Sequence, residues 1–345
     1  MRAEVLAAPA VDLSRWVGAV LCRDVLGADR RSVLSKGHRL DADDAPALAA
    51  AAPEAIHIVW LDEGDVDEDT AALRLAAMVA GPGADIHRPV ESQVRLSATW
   101  RGLAQVDAAA LATINALDGI TIFTVSDGTP VERGSTLAGV KITPLAIPGS
   151  VLKEAEAVAT SVTESRAVRV QPFLPLRVSA VVRQVIEDES RQRFEGSLRR
   201  RVRWLGGSVE RIGYPADRAA ARAALFDAAS GADLVLVVGV NSVDPLEGTW
   251  RDLIDAGASV IRRGLPTHPG SSYWLVTLGD VPVIGVGSCG MFSRRSALDL
   301  LLIRCFAGGS LDREFLAGLG HGGLLGAEQH WRIPVYARGP ELDER

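Results

Sequence analysis

Between residues 178 and 307 the chain alternates short apolar, β-branched runs with helical patterns, and this alternation constrains its fold more than any other feature. The periodicity predicts strands at 178–186, 208–212, 233–239 and 259–263, and a hairpin of 273–278 with 281–286. Helices are predicted at 191–205, 217–230, 249–256 and 293–307. Short gaps between such elements predict a mainly parallel sheet with helices on both faces. Sheets of that kind take ligands at the carboxyl ends of their strands. Two of the predicted strands end in glycine and small polar residues: Val238-Gly239-Val240-Asn241-Ser242-Val243-Asp244-Pro245 and Ile284-Gly285-Val286-Gly287-Ser288-Cys289-Gly290. These two strand ends are expected to face one small-molecule pocket.

The first half reads as a mixed α/β domain. Helices are expected over 41–52, 67–80, 107–117 and 150–163, and strands at 55–60 and 120–125. The pattern around 94–103 and from 134 to 147 suggests further β structure. Pro172 and Pro175 favour an extended linker, which sets the expected domains at 1–172 and 173–345. At 345 residues, each part is large enough to bury its own core.

Composition excludes several function classes. A net charge of −6 argues against non-specific nucleic-acid binding, which needs a basic excess. Six arginines crowd 191–203, but the stripe Phe194, Leu198, Val202 and Leu205 makes most of them a solvated face. Three widely spaced cysteines, Cys22, Cys289 and Cys305, give neither a disulfide framework nor a zinc pattern, which fits a reducing cytoplasm. No apolar stretch is long enough to span a bilayer, and no signal peptide is expected.

Three groups of residues carry candidate chemistry. The run from Gly285 to Gly290 matches G-x-G-x-x-G, but a dinucleotide site also needs a second parallel strand with an acidic residue, and 307–312 lacks a β-branched run. Glycines at such a turn can still bring backbone N–H groups to an anion. Asn241, Ser242, Asp244 and Glu247 form a polar set past Gly239. Its carboxylates could hold Mg²⁺ or a ligand's N–H groups, or equally form a turn at Asp244-Pro245 and a helix cap at Glu247. The loop Pro266-Thr267-His268-Pro269-Gly270-Ser271-Ser272 offers hydroxyls suited to phosphate. Cys289 has no histidine adjacent in sequence to activate it as a nucleophile.

Taken in order, several motifs resemble the molybdopterin-binding proteins related to the molybdenum-cofactor biosynthesis enzymes MoeA and MogA. They are 232–236, Ser242-Val243-Asp244-Pro245, Gly248-Thr249, His268-Pro269-Gly270, Pro282-Val283-Ile284-Gly285 with Cys289, and Leu319-Gly320-His321-Gly322-Gly323. Lys36-Gly37-His38 with Asp43-Asp44 and Leu48 is similar to the opening of that group. The resemblance implies a three-layer molybdopterin-binding α/β domain in the C-terminal half. Its loops would enclose the pterin and its phosphate, with Gly239, Ser242 and Asp244 matching the first loop, Pro269 and Gly270 the second, and Gly285, Ser288 and Cys289 the third; the polar set and glycine run read above add Asn241, Glu247, Ser271 and Gly287 as candidate binding residues. Asp244 is the implied catalytic or Mg²⁺-facing carboxylate. The family's chemistry is molybdopterin adenylylation or molybdate insertion, with a molybdoenzyme client and a homo-oligomeric state also implied. Val238-Gly239-Val240 stands where the family usually has Thr-Gly-Gly, which favours an alternative: a divergent relative that binds, carries or assembles without catalysis.

Overall fold

The computed structural model describes residues 1–7, 15–51, 53, 55–162, 166–293 and 295–338. The chain divides into two compact units, and neither is one continuous segment. The first comprises 1–97, 106–125 and 136–169, and the second 98–105, 126–135 and 170–345.

In chain order the elements up to residue 172 are β1 (Arg2–Ala7), β2 (Val20–Leu21), β3 (Val25–Leu26), β4 (Ser32–Leu34), α1 (Ala45–Ala51), β5 (Ala55–Trp60) and β6 (Asp65–Asp67). They continue with α2 (Glu68–Val79), β7 (Ala84–Ile86), β8 (Gln93–Ala98), β9 (Gly102–Val106), α3 (Ala108–Asn115), β10 (Ile120–Thr124) and β11 (Pro130–Val131). The last are β12 (Thr136–Ile142), β13 (Ala146–Pro148), α4 (Gly149–Val162) and β14 (Val168–Pro172).

In the first unit β1, β5 and β2 form an antiparallel sheet, and β10, β12, β8 and β7 form a four-stranded one. Alternation in β5 turns Ile56 and Ile58 into a core with Leu6, Leu21 and Leu48. The helices start where aspartates can cap them. Asp67 accepts the Thr70 N–H at the start of α2, and Asp107 accepts the Ala110 N–H at the start of α3. Helical spacing then buries Ala72, Leu75, Ala76 and Val79 on one stripe of α2.

The N-terminal motif is held by contacts both distant and near in sequence. Lys36 Nζ donates to Glu68 Oε2 and Ser92 Oγ, both at 3.0 Å. His38 Nε2 lies 2.8 Å from Asp44 Oδ2, and Asp41 and Asp44 close a capping box. Gly37 turns the chain at φ +82°, and Leu48 is buried.

The second unit continues with β15 (Arg177–Val182), α5 (Asp188–Trp204), β16 (Ser208–Gly213), α6 (Arg218–Gly231), β17 (Leu234–Val240), α7 (Gly248–Asp255) and β18 (Ser259–Arg263). β19 (Trp274–Leu278), β20 (Val281–Gly287), α8 (Ser288–Phe292), α9 (Ala297–Phe306) and α10 (Arg313–Gly318) complete it. The helix expected over 293–307 is α9, which starts only after its Ser296 cap, and the sequence does not predict the short α8 before it, which ends at an extended Ser293.

Its six-stranded sheet has the order β16-β15-β17-β20-β19-β18, with β16, β15, β17 and β20 parallel and the β19–β20 and β18–β19 pairs antiparallel. Side-chain alternation assigns the faces. Leu234, Leu236 and Val238 of β17 pack with Phe194, Leu198 and Val202 of α5 and Leu301 and Leu302 of α9. Val235 and Val237 face the other way, toward Leu225 of α6 and Trp250 and Leu253 of α7. The result is helix, sheet, helix, the three layers expected from the sequence.

One residue in the central strand breaks the parity. Gly239 sits at φ +79°, and the register of β17 on β20 shifts between Val238 and Val240. This bulge turns Val240 to the same face as Val235 and Val237, where it is buried. The β-branched side chain so completes the core, and glycine alone takes the left-handed backbone.

Of the α5 arginines, Arg191 and Arg199 reach Glu195 and Arg193 reaches Glu189, all at helical spacing on the solvated face. Arg201 is the exception. It is buried, donating from Nε to Asp299 Oδ1 at 2.8 Å and from Nη2 to Ser293 O at 3.0 Å, while Tyr336 Oη donates to the same Asp299 oxygen at 2.8 Å. Burial and the Asp299 charge hold the Tyr336 phenol well above its ordinary pKa.

Candidate functional site

Because β15, β17 and β20 are parallel, their carboxyl ends lie at one edge of the sheet. From β15 the chain crosses to β16 on one side, and after β17 it proceeds to β20 on the other. The crevice of such a sheet lies where the connections diverge, past the ends of β15 and β17. Arg183 continues β15 there. Its N–H donates to Val238 O at 2.7 Å, and its Nε to Thr249 Oγ1 at 3.1 Å. Gly239 is required at this point, because a Cβ would lie 2.6 Å from Gln184 Cβ.

The loop after β17 folds mainly on itself. The Asp244 N–H donates to Asn241 O at 3.2 Å, and the Glu247 N–H to Asp244 O at 3.3 Å. Asp244 Oδ1 accepts the Leu246 N–H at 2.8 Å, and Glu247 Oε2 accepts the Trp250 N–H at 2.8 Å as the cap of α7. Of the two readings the sequence left open for this pair, the turn and the cap are what these hydrogen bonds describe. Among the described residues no group of three or more His, Cys, Asp or Glu side chains could hold a metal ion. Asp244 and Glu247 each use one carboxylate oxygen in these hydrogen bonds, which leaves each a second oxygen for a ligand or cation.

Ser242 has a different character. Its Oγ is buried and has no hydrogen-bond partner among the described residues. Nearby, Asn241 is exposed, and Val243 and Leu246 are 82% and 68% exposed.

The glycines of the G-x-G-x-x-G run serve packing. Gly285 lies inside β20 directly opposite Trp274 of β19, and a Cβ there would overlap the Trp274 ring. A Cβ on Gly290 would overlap the Tyr273 hydroxyl. Among the described residues β20 is the last strand of the chain, so the βαβ unit of a dinucleotide site is missing. Gly287 alone faces the strand-end loops: it pairs with Val240, and a Cβ on it would lie 2.9 Å from Ser272 Oγ. Ser288 follows, exposed, at the start of the five-residue α8. The Cys289 side chain lies outside the described residues.

Pro269 and Gly270 dock on α9. Pro269, after a cis peptide bond, accepts the Ala297 N–H at 2.9 Å, and Gly270 at φ +122° leaves no room for a side chain beside Ala297. Ser271 and Ser272 are exposed. The structure therefore brings the end of β17, Gly287 and the Ser271-Ser272 loop to one rim, with Val240 and Ser272 both beside Gly287. Arg183, Thr249 and Ser272 add to this edge beyond the residues that the sequence points to. Thr249 belongs to the Gly248-Thr249 motif and Ser272 to the hydroxyl-rich loop, whereas nothing in the local sequence marks Arg183.

Behind α7, Asp252 accepts from Arg218 Nη2 at 2.8 Å and Nε at 3.2 Å, and from Arg222 Nη1 at 3.4 Å. The Arg218 hydrogen bonds hold the Asp252 carboxyl below its ordinary pKa.

No protein-family model matches the sequence, and no curated protein matches it. Among solved structures the chain is similar to the molybdopterin biosynthesis MoeA protein from Pyrococcus horikosii, at 14% identity and a TM-score of 0.28, covering 71% of this chain and 81% of that one. It is also similar to a molybdenum cofactor biosynthesis protein from Pyrococcus furiosus, at 16% identity and a TM-score of 0.23, covering 59% and 71% of the two chains. The likeness is a distant one, of fold. Among the described residues no helix is long and apolar enough to cross a membrane.

Proposed function

We propose that the second unit binds molybdopterin, or a closely similar phosphorylated pterin, at the rim formed by the end of β17, Gly287 and the Ser271-Ser272 loop. The observation that carries this reading is the buried hydroxyl of Ser242 in the loop past Gly239, which has no hydrogen-bond partner among the described residues. A buried hydroxyl without a partner costs free energy, and a ligand that supplies the missing hydrogen bond recovers it. The motif resemblance supplies the ligand class. Asn241, Ser271, Ser272 and Ser288 add exposed polar groups suited to a pterin ring and its phosphate.

The engagement of Asp244 and Glu247 by backbone amides favours binding over catalysis. In this reading the protein holds or hands on the pterin in molybdenum-cofactor biosynthesis or handling, with Asp244 presenting its second oxygen to the ligand.

Quenching of the intrinsic tryptophan fluorescence on titration with molybdopterin tests the proposal. Saturable binding is expected, weakened about three- to tenfold by Ser242→Ala through loss of one hydrogen bond. A folded protein that shows no saturable quenching refutes it. Unchanged affinity in Asp244→Ala would remove only Asp244 from the site.

A further inference from the structure

The Leu319-Gly320-His321-Gly322-Gly323 motif supplies no residue to the strand-end rim, although Gly323 O accepts the His268 N–H at 2.7 Å and so steadies the loop that leads to Ser271. Leu319, His321 and Gly322 instead line a separate cavity of about 580 Å³ beside α9 and α10. That volume suits a small organic ligand, and the lining shows which kind.

Two guanidiniums line it, Arg304 from α9 and Arg332 from the C-terminal turn. Arg304 Nε donates to Ser310 O at 3.1 Å, and its guanidinium stacks on Phe315, 4.7 Å from the ring centre. Arg332 Nη1 donates to Gly322 O at 2.7 Å. Gly322 makes that contact possible: it turns at φ +70°, and a Cβ there would lie 3.1 Å from Arg332 Nη1. Among the described residues neither guanidinium has a carboxylate within salt-bridge distance. Arg332 is half-buried, and the loss of water lowers its pKa with no opposing charge to raise it. A desolvated cation held by carbonyl oxygen and aromatic faces is the local chemistry of an anion site.

The other walls narrow the anion. Phe315 and Trp331 offer aromatic faces, and Gln329 an amide that can both donate and accept. Asp127 supplies one carboxylate to the lining. Two guanidiniums suit a phosphate monoester, which is close to dianionic at neutral pH. The aromatic rings and the amide suit a heterocyclic base.

We propose that this cavity binds a nucleoside monophosphate, its phosphate held by Arg304 and Arg332 and its base against Phe315 and Trp331. It shares no residue with the strand-end rim, so the pterin titration does not bear on it.

Calorimetric titration of the full chain with AMP and GMP tests the proposal, each run against its nucleoside and against inorganic phosphate. At least one nucleotide is expected to bind saturably, with nucleoside and phosphate each weaker by about tenfold or more. Arg332→Gln is expected to lower nucleotide affinity about tenfold or more, as loss of hydrogen bonds to a charged group requires. Arg304→Gln, with thermal unfolding recorded for both variants, gives the same reading if Arg332→Gln does not fold. No saturable nucleotide binding at about 1 mM, the weak end of specific affinity, would overturn the assignment. So would nucleoside binding as tight as nucleotide, or affinity that the folded variants leave unchanged.

Discussion

At the level of single residues, the carboxylates of the second unit differ by what donates to them. Asp244 and Glu247 accept backbone amides in a turn and a cap, and Asp299 is enclosed by Arg201 and Tyr336. Asp252 accepts a two-pronged Arg218, and Asp233 is held by Arg177 in the same way. Sequence spacing brings out the first two partnerships because they are local; the others join residues 34 or more positions apart. The Asp252 pair has a pH signature. Its folded pKa is depressed, so its contribution is fully present above the unfolded carboxylate value of about 3.9 and is lost as pH falls through the lower folded value. Asp252→Asn is expected to cost about 1 kcal/mol at pH 7, because Arg218 and Arg222 remain half-exposed. Denaturant unfolding should show that difference from the parent shrinking toward zero as pH falls from about 4 to about 2.

At the level of elements, the alternation of apolar runs and helical stripes gives nearly every strand and helix of the second half within a few residues. The sheet's parallel core follows from that order alone. Pair partners across strands do not. Gly285 reads as a ligand-loop glycine in sequence because its constraint, the Trp274 ring, sits across a strand pair whose register becomes visible only in three dimensions. The same holds for Val240, whose orientation depends on the bulge at Gly239. Gly285→Ala is expected to destabilise the protein by about 1–3 kcal/mol through overpacking against Trp274. In a Trp274→Leu background the same substitution should cost clearly less. Equal penalties in the two backgrounds, measured by chemical denaturation as a double-mutant cycle, would contradict this account of the glycine.

On the scale of the whole molecule, the second unit draws on two short segments, 98–105 and 126–135, that precede most of it in the chain. Proline spacing near 172 points to a single cut and carries no sign of such segments, because their membership is set by long-range pairing. Leu103 belongs to the core that α5 and α9 build, and Arg101 Nη1 donates to Trp204 O at 3.0 Å. A fragment of residues 170–345 is therefore expected to unfold at a lower temperature than the same unit in the full chain, as followed by calorimetry. Equal midpoints would show the two segments to be dispensable.

The interleaving also bears on synthesis. Arg101 leaves the ribosome 103 residues ahead of Trp204, an interval on the order of 5–20 s at ordinary elongation rates. The backbone partners of β9, which are β11 and β14, follow by residue 172, but the α5 and α9 side chains that bury Leu103 are made later still, so the protein's exposure to misassembly is concentrated while it is being made rather than after it has folded.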